Sequence, residues 1–451
     1  MTHGRRAGPW IGRCALLLAA WLSTPLLAEA GCNMALLQQL GWQVSPGPRP
    51  APQINAGEPC RRASLADAQA HGDLRLQLPD AYSEAQREQL AADMLQQPAS
   101  ICAYAFKLGE AARTASTRLQ ENPGYRFTAL QLGWIGFGAR GAGAQGWQRF
   151  RSFGRGYAPR GANSVALEAF YSGRVRSECG VGRQVAQLAT LRELFGDAAF
   201  DSGFTAGELS IGTFLSLHDT ESILLGSSAG EMFADGKAVR TSALGRQAFM
   251  GVPGYVVHAF DAAYLDDINN QAENFVITDI SADAADALAR HGGFAHYDAL
   301  NKRLWELAQQ IPGHGWRRFE RLLYLREPAL RAAVPEAQQA VLAQMDALLA
   351  DPVYRELMLY VHRQGVRPLG FHIARLLDRN PRTPFVIELV LHNLHTTIYQ
   401  RWLQARLGAC AATPTSPSKE LGHGIGNDRA GAHGRQHGAA SATCRDCSHR
   451  L

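Results

Sequence analysis

Residues 177–196 begin Ser177-Glu178-Cys179-Gly180-Val181-Gly182 and continue RQVAQLATLRELFG to Gly196. Val181, Val185, Leu188, Leu191 and Phe195 recur at helical spacing, and Gly196 falls where a helix ends. Cys179 therefore stands in the first turn of an amphipathic helix. The positive end of the helix dipole lowers a thiol's pKa there and makes it nucleophilic near neutral pH. Downstream, Glu273-Asn274-Phe275-Val276-Ile277 reads as a polar pair opening a strand. Gly293-Phe294-Ala295-His296 reads as the next strand, ending in a histidine. A nucleophile (Cys179), a base (His296) and an acid to orient the imidazole or gate the thiolate (Glu273) are the parts of a thiol enzyme.

The regions around this segment divide the 451 residues into parts. Residues 1–30 read as an export leader: Arg5, Arg6 and Arg13, then an apolar stretch from Cys14 to Leu27, then Ala28-Glu29-Ala30 as cleavage site. Residues 31–160 hold a short helix and the stretch Pro46-Gly47-Pro48-Arg49-Pro50-Ala51-Pro52, which reads as a stiff linker. A helical region follows, in which Ser83-Glu84-Ala85-Gln86 forms a capping box and Ile101 to Leu119 a second helix. Glycine- and aromatic-rich strands or loops occupy 125–160. Residues 161–311 form the core that carries the site, with short strands at Ile223-Leu224-Leu225, Tyr255-Val256-Val257 and Phe275-Val276-Ile277. Residues 312–410 read as an all-helical C-terminal region. Residues 411–451, poor in apolar side chains, read as a disordered tail.

Composition excludes several classes. Lys+Arg number 45 against 40 Asp+Glu, too balanced for a nucleic-acid surface. No apolar run reaches the length of a stable membrane span. The mature chain is expected to be exported, periplasmic or secreted. Of the eight cysteines, Cys14 leaves with the leader. Cys32, Cys60, Cys102, Cys179, Cys410, Cys444 and Cys447 remain, an odd set that leaves one thiol over, the position Cys179 fits. Cys32 with Cys60 and Cys102 with Cys410 are pairs to test, but connectivity stays open.

These motifs resemble those of the bacterial spore-type transglutaminases, protein-glutamine gamma-glutamyltransferases built on a small NlpC/P60, papain-like core. The likeness lies in Ser177-Glu178-Cys179 with its helix, the continuation from Phe195 to Phe204, Gly251-Val252-Pro253-Gly254-Tyr255-Val256, Ala272 to Ile277, and Gly293-Phe294-Ala295-His296. It covers roughly residues 100–300. The resemblance implies an α+β fold with a papain-like core between a helical N-terminal segment and the C-terminal region. It implies Cys179 as the acyl-accepting thiol, Glu178 and Glu273 as exchangeable acids beside it, and His296 as base or accessory. No metal, calcium or other cofactor is implied. The partners are proteins or peptides with accessible Gln and Lys. The thiolate would attack a glutamine amide and release ammonia, and a lysine amine or water would resolve the thioester. Backbone N–H groups at the helix start would hold the oxyanion. The 94 residues from Cys179 to Glu273 exceed the family's spacing and imply insertions, and Tyr297 follows His296 where the family has glycine. Two other readings suit an exported chain: an NlpC/P60-like cell-wall peptide amidase or peptidase, and a non-enzymatic, disulfide-stapled envelope binding protein.

Other motifs point elsewhere with less support. Gly226-Ser227-Ser228-Ala229-Gly230 matches a nucleophile elbow, but the turn signal Asp235-Gly236 follows too soon for a helix. Gly136-Phe137-Gly138-Ala139-Arg140-Gly141 lacks the helix that a dinucleotide fingerprint needs. His392 and His395 could share a metal but lack an evident third ligand, and Cys444 and Cys447 beside His433, His437 and His449 could bind zinc but read better as a local disulfide or a dispensable tail. Trp147, Phe150, Phe153 and Tyr157, interleaved with Arg149, Arg151, Arg155 and Arg160, read as a half-buried strand with arginines outward.

Overall fold

The computed structural model describes residues 31–48, 51–56, 74–127, 146–152, 154–177, 179–212, 217, 220–224, 249–258, 272–290, 294–311, 325, 327–362, 365–368, 372–373 and 396–411. The expected export leader at 1–30, the two glycine motifs at 136–141 and 226–230, His392, His395 and the expected tail beyond residue 411 lie outside them, as does Glu178.

Helix α1 (Cys32–Gln39) leads into strands β1 (Gln43–Gly47), β2 (Gln53–Ala56) and β3 (Leu74–Pro79), which form a sheet in the order β1-β3-β2. The proline stretch is thus no simple linker, because Pro46 and Gly47 pair with Leu78 and Pro79. The edge position of β1 explains how a strand tolerates proline, since one side of its backbone needs no ladder partner. The N-terminal segment is therefore mixed rather than helical. Helix α2 (Glu84–Leu95) opens with the expected capping box: Ser83 Oγ accepts from the Gln86 N–H, and Gln86 Oε1 accepts from the Ser83 N–H. Helix α3 (Pro98–Glu121) follows.

Strands β4 (Tyr125–Phe127), β5 (Trp147–Ser152) and β6 (Gly154–Pro159) precede helix α4 (Asn163–Ser172) and strand β7 (Val175–Ser177). Helix α5 (Cys179–Phe195), helix α6 (Asp197–Gly203) and strand β8 (Ile211–Gly212) come next. The parallel pair β4-β7 delivers the chain to the start of α5. The expected strand at Ile223 and Leu224 is a turn instead, with the Leu224 N–H donating to Ser222 Oγ; Leu225 lies outside the described residues.

Strands β9 (Pro253–His258) and β10 (Ala272–Ile280) are followed by helices α7 (Ala282–Arg290), α8 (Phe294–Ala308), α9 (Pro328–Ala332), α10 (Gln339–Leu349) and α11 (Pro352–Arg355). Then come strands β11 (Leu357–Val361), β12 (Gly365–Pro368) and β13 (His372–Ile373), and helix α12 (Thr396–Ala411). Two expectations are corrected here. The C-terminal region is not all-helical: β11, β12 and β13 join β9 and β10 in an antiparallel sheet ordered β12-β11-β10-β9-β13. The run Leu357-Met358-Leu359-Tyr360-Val361 is short and apolar, and periodicity alone cannot tell such a run from buried helix. Phe294-Ala295-His296 is not a strand either, but the opening of α8.

Helix α5 is the hub, packed against α3 and against β10. It is buried nearly all round, including Gln184, Gln187 and Thr190, as a helix enclosed on every side must be. Gln184 meets the cost of its burial by clamping Gly212, donating to its C=O and accepting from its N–H, both at 2.8 Å. Helix α12 closes the far side. Ile398, Tyr399, Trp402 and Leu403 are buried, Tyr399 donates to the Leu95 carbonyl, and the Tyr399 and Trp402 rings lie against Tyr104. Cys410 on α12 is bonded to Cys32 on α1, with Cα atoms 6.0 Å apart. That pairing replaces both pairs considered from the sequence. Cys102 is also disulfide-bonded.

Candidate functional site

Cys179 is the first residue of α5, half-buried, and a thiol. The preceding strand sets its position: Val175 and Ser177 of β7 point inward and Arg176 outward, so Ser177 is buried two residues before the cysteine. Across from the helix start, the Asn274 side chain on β10 donates from Nδ2 to Cys179 Sγ at 3.2 Å. A polar donor on a half-buried sulfur favours the thiolate over the thiol.

Strand β11 brings a histidine to the same place. Phe275 pairs with Val361, so Asn274 and His362 are the next residues along these two antiparallel strands. The His362 ring packs on α5 where Gly182 has no side chain. A Cβ at Gly182 would lie 2.5 Å from His362 Cγ and 2.9 Å from Cδ2. His362 Nε2 is 3.3 Å from Ser177 Oγ, and Ser177 Oγ is 2.8 Å from the Tyr125 hydroxyl. The Tyr125 ring lies against the imidazole, with centroids 4.2 Å apart. Thus β7, α5, β10 and β11 each contribute to one cluster: Ser177, Cys179, Asn274 and His362.

The residues read from the sequence are distributed differently. Glu178 lies outside the described residues. Glu273 is on β10 opposite Val256, and its side chain lies outside the description. His296, on α8, bonds through Nε2 to Asp351 Oδ2 at 3.1 Å. Asp351 Oδ1 in turn accepts from the Val353 N–H and caps α11. The histidine seated on the cysteine's helix is therefore His362, which sequence reasoning missed. Its signal was present in weak form: a histidine closing an apolar run, and a glycine at 182 inside an amphipathic helix.

The opposite end of α5 is about 24 Å away, from the rise of a helix of this length. It is held by charge. Arg192 donates to Asp197 at 2.7 Å and to Glu168 at 2.8 Å, and Arg118 donates to Glu193 at 2.6 Å. The Arg192 hydrogen bond holds the Asp197 carboxyl below the usual carboxylate range. Burial, and then the Glu193 charge, push the Tyr171 hydroxyl well up. A cation in the last turn also complements the helix dipole. This network anchors the far end of the helix.

Among the described residues, no group of three His, Cys, Asp or Glu side chains could hold a metal ion, and no helix is long and apolar enough to cross a membrane. Comparison with protein families, with curated proteins and with solved structures finds no match.

Proposed function

We propose that this chain is an exported cysteine-dependent acyltransferase with a papain-like core, acting on glutamine side chains of proteins or peptides. The observation that carries the reading is the hydrogen bond from Asn274 Nδ2 to Cys179 Sγ at the start of a buried helix, with His362 packed one turn along it. That arrangement supports thiol acyl transfer as the reaction class. Glutamine as donor rests on the motif resemblance around Glu178-Cys179 and Glu273-Asn274.

In this mechanism His362 takes the thiol proton, and the thiolate attacks the glutamine side-chain carbonyl carbon. Asn274 Nδ2–H and the helix dipole stabilise negative charge on the sulfur and on the adduct. Collapse of the adduct breaks the C–N bond, His362 returns the proton to the leaving nitrogen, and ammonia departs from a thioester. A lysine amine then attacks the thioester carbon and passes its proton to His362. The C–S bond breaks, leaving an isopeptide and restoring the thiol. Water in place of the amine yields glutamate. Glu178 and Glu273 keep the flanking acidic roles that the resemblance implies. The base is assigned to His362 because its ring is seated on the helix that Cys179 opens, at Gly182, whereas His296 is placed by its bond to Asp351 beside α11.

The test is incorporation of a dansylated amine into a glutamine-bearing protein by the mature chain, with ammonia release measured in parallel. Cys179→Ser should abolish both signals. His362→Asn should lower them about 100-fold or more, the usual contribution of a general base. Absence of both signals from folded protein carrying a reduced Cys179 would sink the proposal.

A further inference from the structure

The cysteine–histidine reading leaves one question of geometry. A catalytic imidazole is normally held by a third group that chooses its tautomer, and an asparagine beside such a pair is well suited to that task. Here the Asn274 amide nitrogen is directed to the sulfur, and the bond found at His362 Nε2 goes to Ser177 instead.

Ser177 is in place for it. Its Oγ lies 3.3 Å from His362 Nε2 and 2.8 Å from the Tyr125 hydroxyl. Ser177 is 1% exposed and His362 9% exposed, so bulk water competes little for these bonds. A serine hydroxyl has one donor and two acceptor sites, enough to accept from Nε2–H while bonded to Tyr125. Tyr125 acts twice, bonding Ser177 and laying its ring against the imidazole. Its strand pairs with β7, placing Tyr125 opposite Val175 and Phe127 opposite Ser177. The segment that aims Ser177 is the one that delivers Cys179, so thiol and imidazole are set by one strand.

We propose that Ser177, backed by Tyr125, is the positioning residue that keeps the His362 proton on Nε2 and so fixes the tautomer and orientation of the imidazole seated on the helix of Cys179. When the ring takes up the thiol proton it becomes an imidazolium, its Nε2–H still donated to Ser177 Oγ. The proton later leaves with ammonia, and Ser177 neither gains nor loses one. The proposal rests on the assignment of Cys179 and His362 as nucleophile and base.

The experiment is the pH dependence of Cys179 alkylation by iodoacetamide, read by mass spectrometry on the full mature chain, with steady-state amine incorporation alongside. In the native protein the alkylation midpoint should lie below the ordinary thiol value of about 8.5. Ser177→Ala removes the acceptor that stabilises the imidazolium. It should raise the midpoint by about one pH unit and lower kcat roughly tenfold with little change in KM. Ser177→Thr retains the acceptor and should restore both. Tyr125→Phe keeps the ring on His362 and should shift the midpoint the same way by less. A native-like midpoint and kcat in Ser177→Ala, with the native midpoint depressed, would overturn the positioning role and leave the nucleophile assignment standing. An ordinary midpoint in the native chain would overturn both. If Ser177→Ala does not fold, Tyr125→Phe decides, and an unmoved midpoint there rejects the proposal.

Discussion

Replacing Gly182 by alanine separates the integrity of the fold from that of the site. A methyl at that position would sit 2.5 Å from His362 Cγ, 2.7 Å from its Cβ and 2.9 Å from Cδ2. Carbon atoms in contact settle at about 3.5–4.0 Å, so the imidazole must retreat by about 1 Å. It has little room, with the Tyr125 ring centroid 4.2 Å away on another side and its backbone held at the end of β11. Overpacking of this kind costs about 1–3 kcal/mol. Alanine returns about 0.8–1.0 kcal/mol of helix propensity relative to glycine. The net loss of stability is therefore small, about 0–2 kcal/mol. A displacement of about 1 Å in a reacting group, by contrast, lowers turnover about 100-fold. Thermal melts paired with amine incorporation measure both quantities on one sample. The expected variant melts within a few degrees of the native chain and is nearly inactive. Native turnover from folded Gly182→Ala protein would refute the placement of His362 in the reaction.

Three further perturbations test the frame that holds the site. The Cys32–Cys410 bond closes a separation of 378 residues, and Cys32→Ser with Cys410→Ser should cost about 3–5 kcal/mol; a melting midpoint unchanged by the double substitution would contradict this. Gln184→Ala strips both partners from buried Gly212 backbone groups and should cost about 2–4 kcal/mol in denaturant unfolding, so a loss below measurement error counts against the clamp. Burial pushes the Glu208 carboxyl up, but bonds from Arg401 and Thr205 outweigh it and hold it below the usual range. Because the folded pKa is depressed, this contribution is complete above the unfolded value of about 4.3 and fades as pH falls through the folded value. Glu208→Gln should therefore melt with a shallower acid slope than the native chain in that window, and parallel slopes would rule the bond out as a source of acid sensitivity.

How much of this was legible in the sequence follows from the range of the interactions. Helix α5 and the α2 capping box were readable because their signals lie within a few residues of where they act. The central sheet was legible only in part: β9 and β10 fall on expected strands, and β11, β12 and β13 do not. On β11 the partner of Phe275 is Val361, and between them run helices α7 to α11, whose patterns invite an all-helical reading. A five-residue apolar run such as β11 carries no period that distinguishes strand from buried helix. The same gap hid a second histidine, since the motif order pointed to His296 while the sheet seats His362 on α5. Disulfide pairing was beyond reach for a similar reason: Cys32 and Cys410 meet because α12 packs against α1, a tertiary fact with no local trace.

Two glycines mark close approaches at the site, and they act in the same way. Gly182 lacks the Cβ that would strike His362. Gly254 on β9 lacks the one that would lie 2.1 Å from Cζ of Phe275 on β10. Phe275 is the cross-strand partner of Gly254 and the neighbour of Asn274, so docking its ring on the glycine fixes the register that brings Asn274 to the sulfur. A register slip of one residue would turn every side chain of β10 to the opposite face and take the amide with it. Asn274, which bonds Cys179, and His362, which packs on its helix, are thus each located by a ring seated on a glycine from another element. Glycine inside a helix or strand costs about 0.5–1 kcal/mol relative to alanine. An interior glycine beside an apolar pattern is therefore a readable mark of close approach, and in this chain both approaches converge on one thiol.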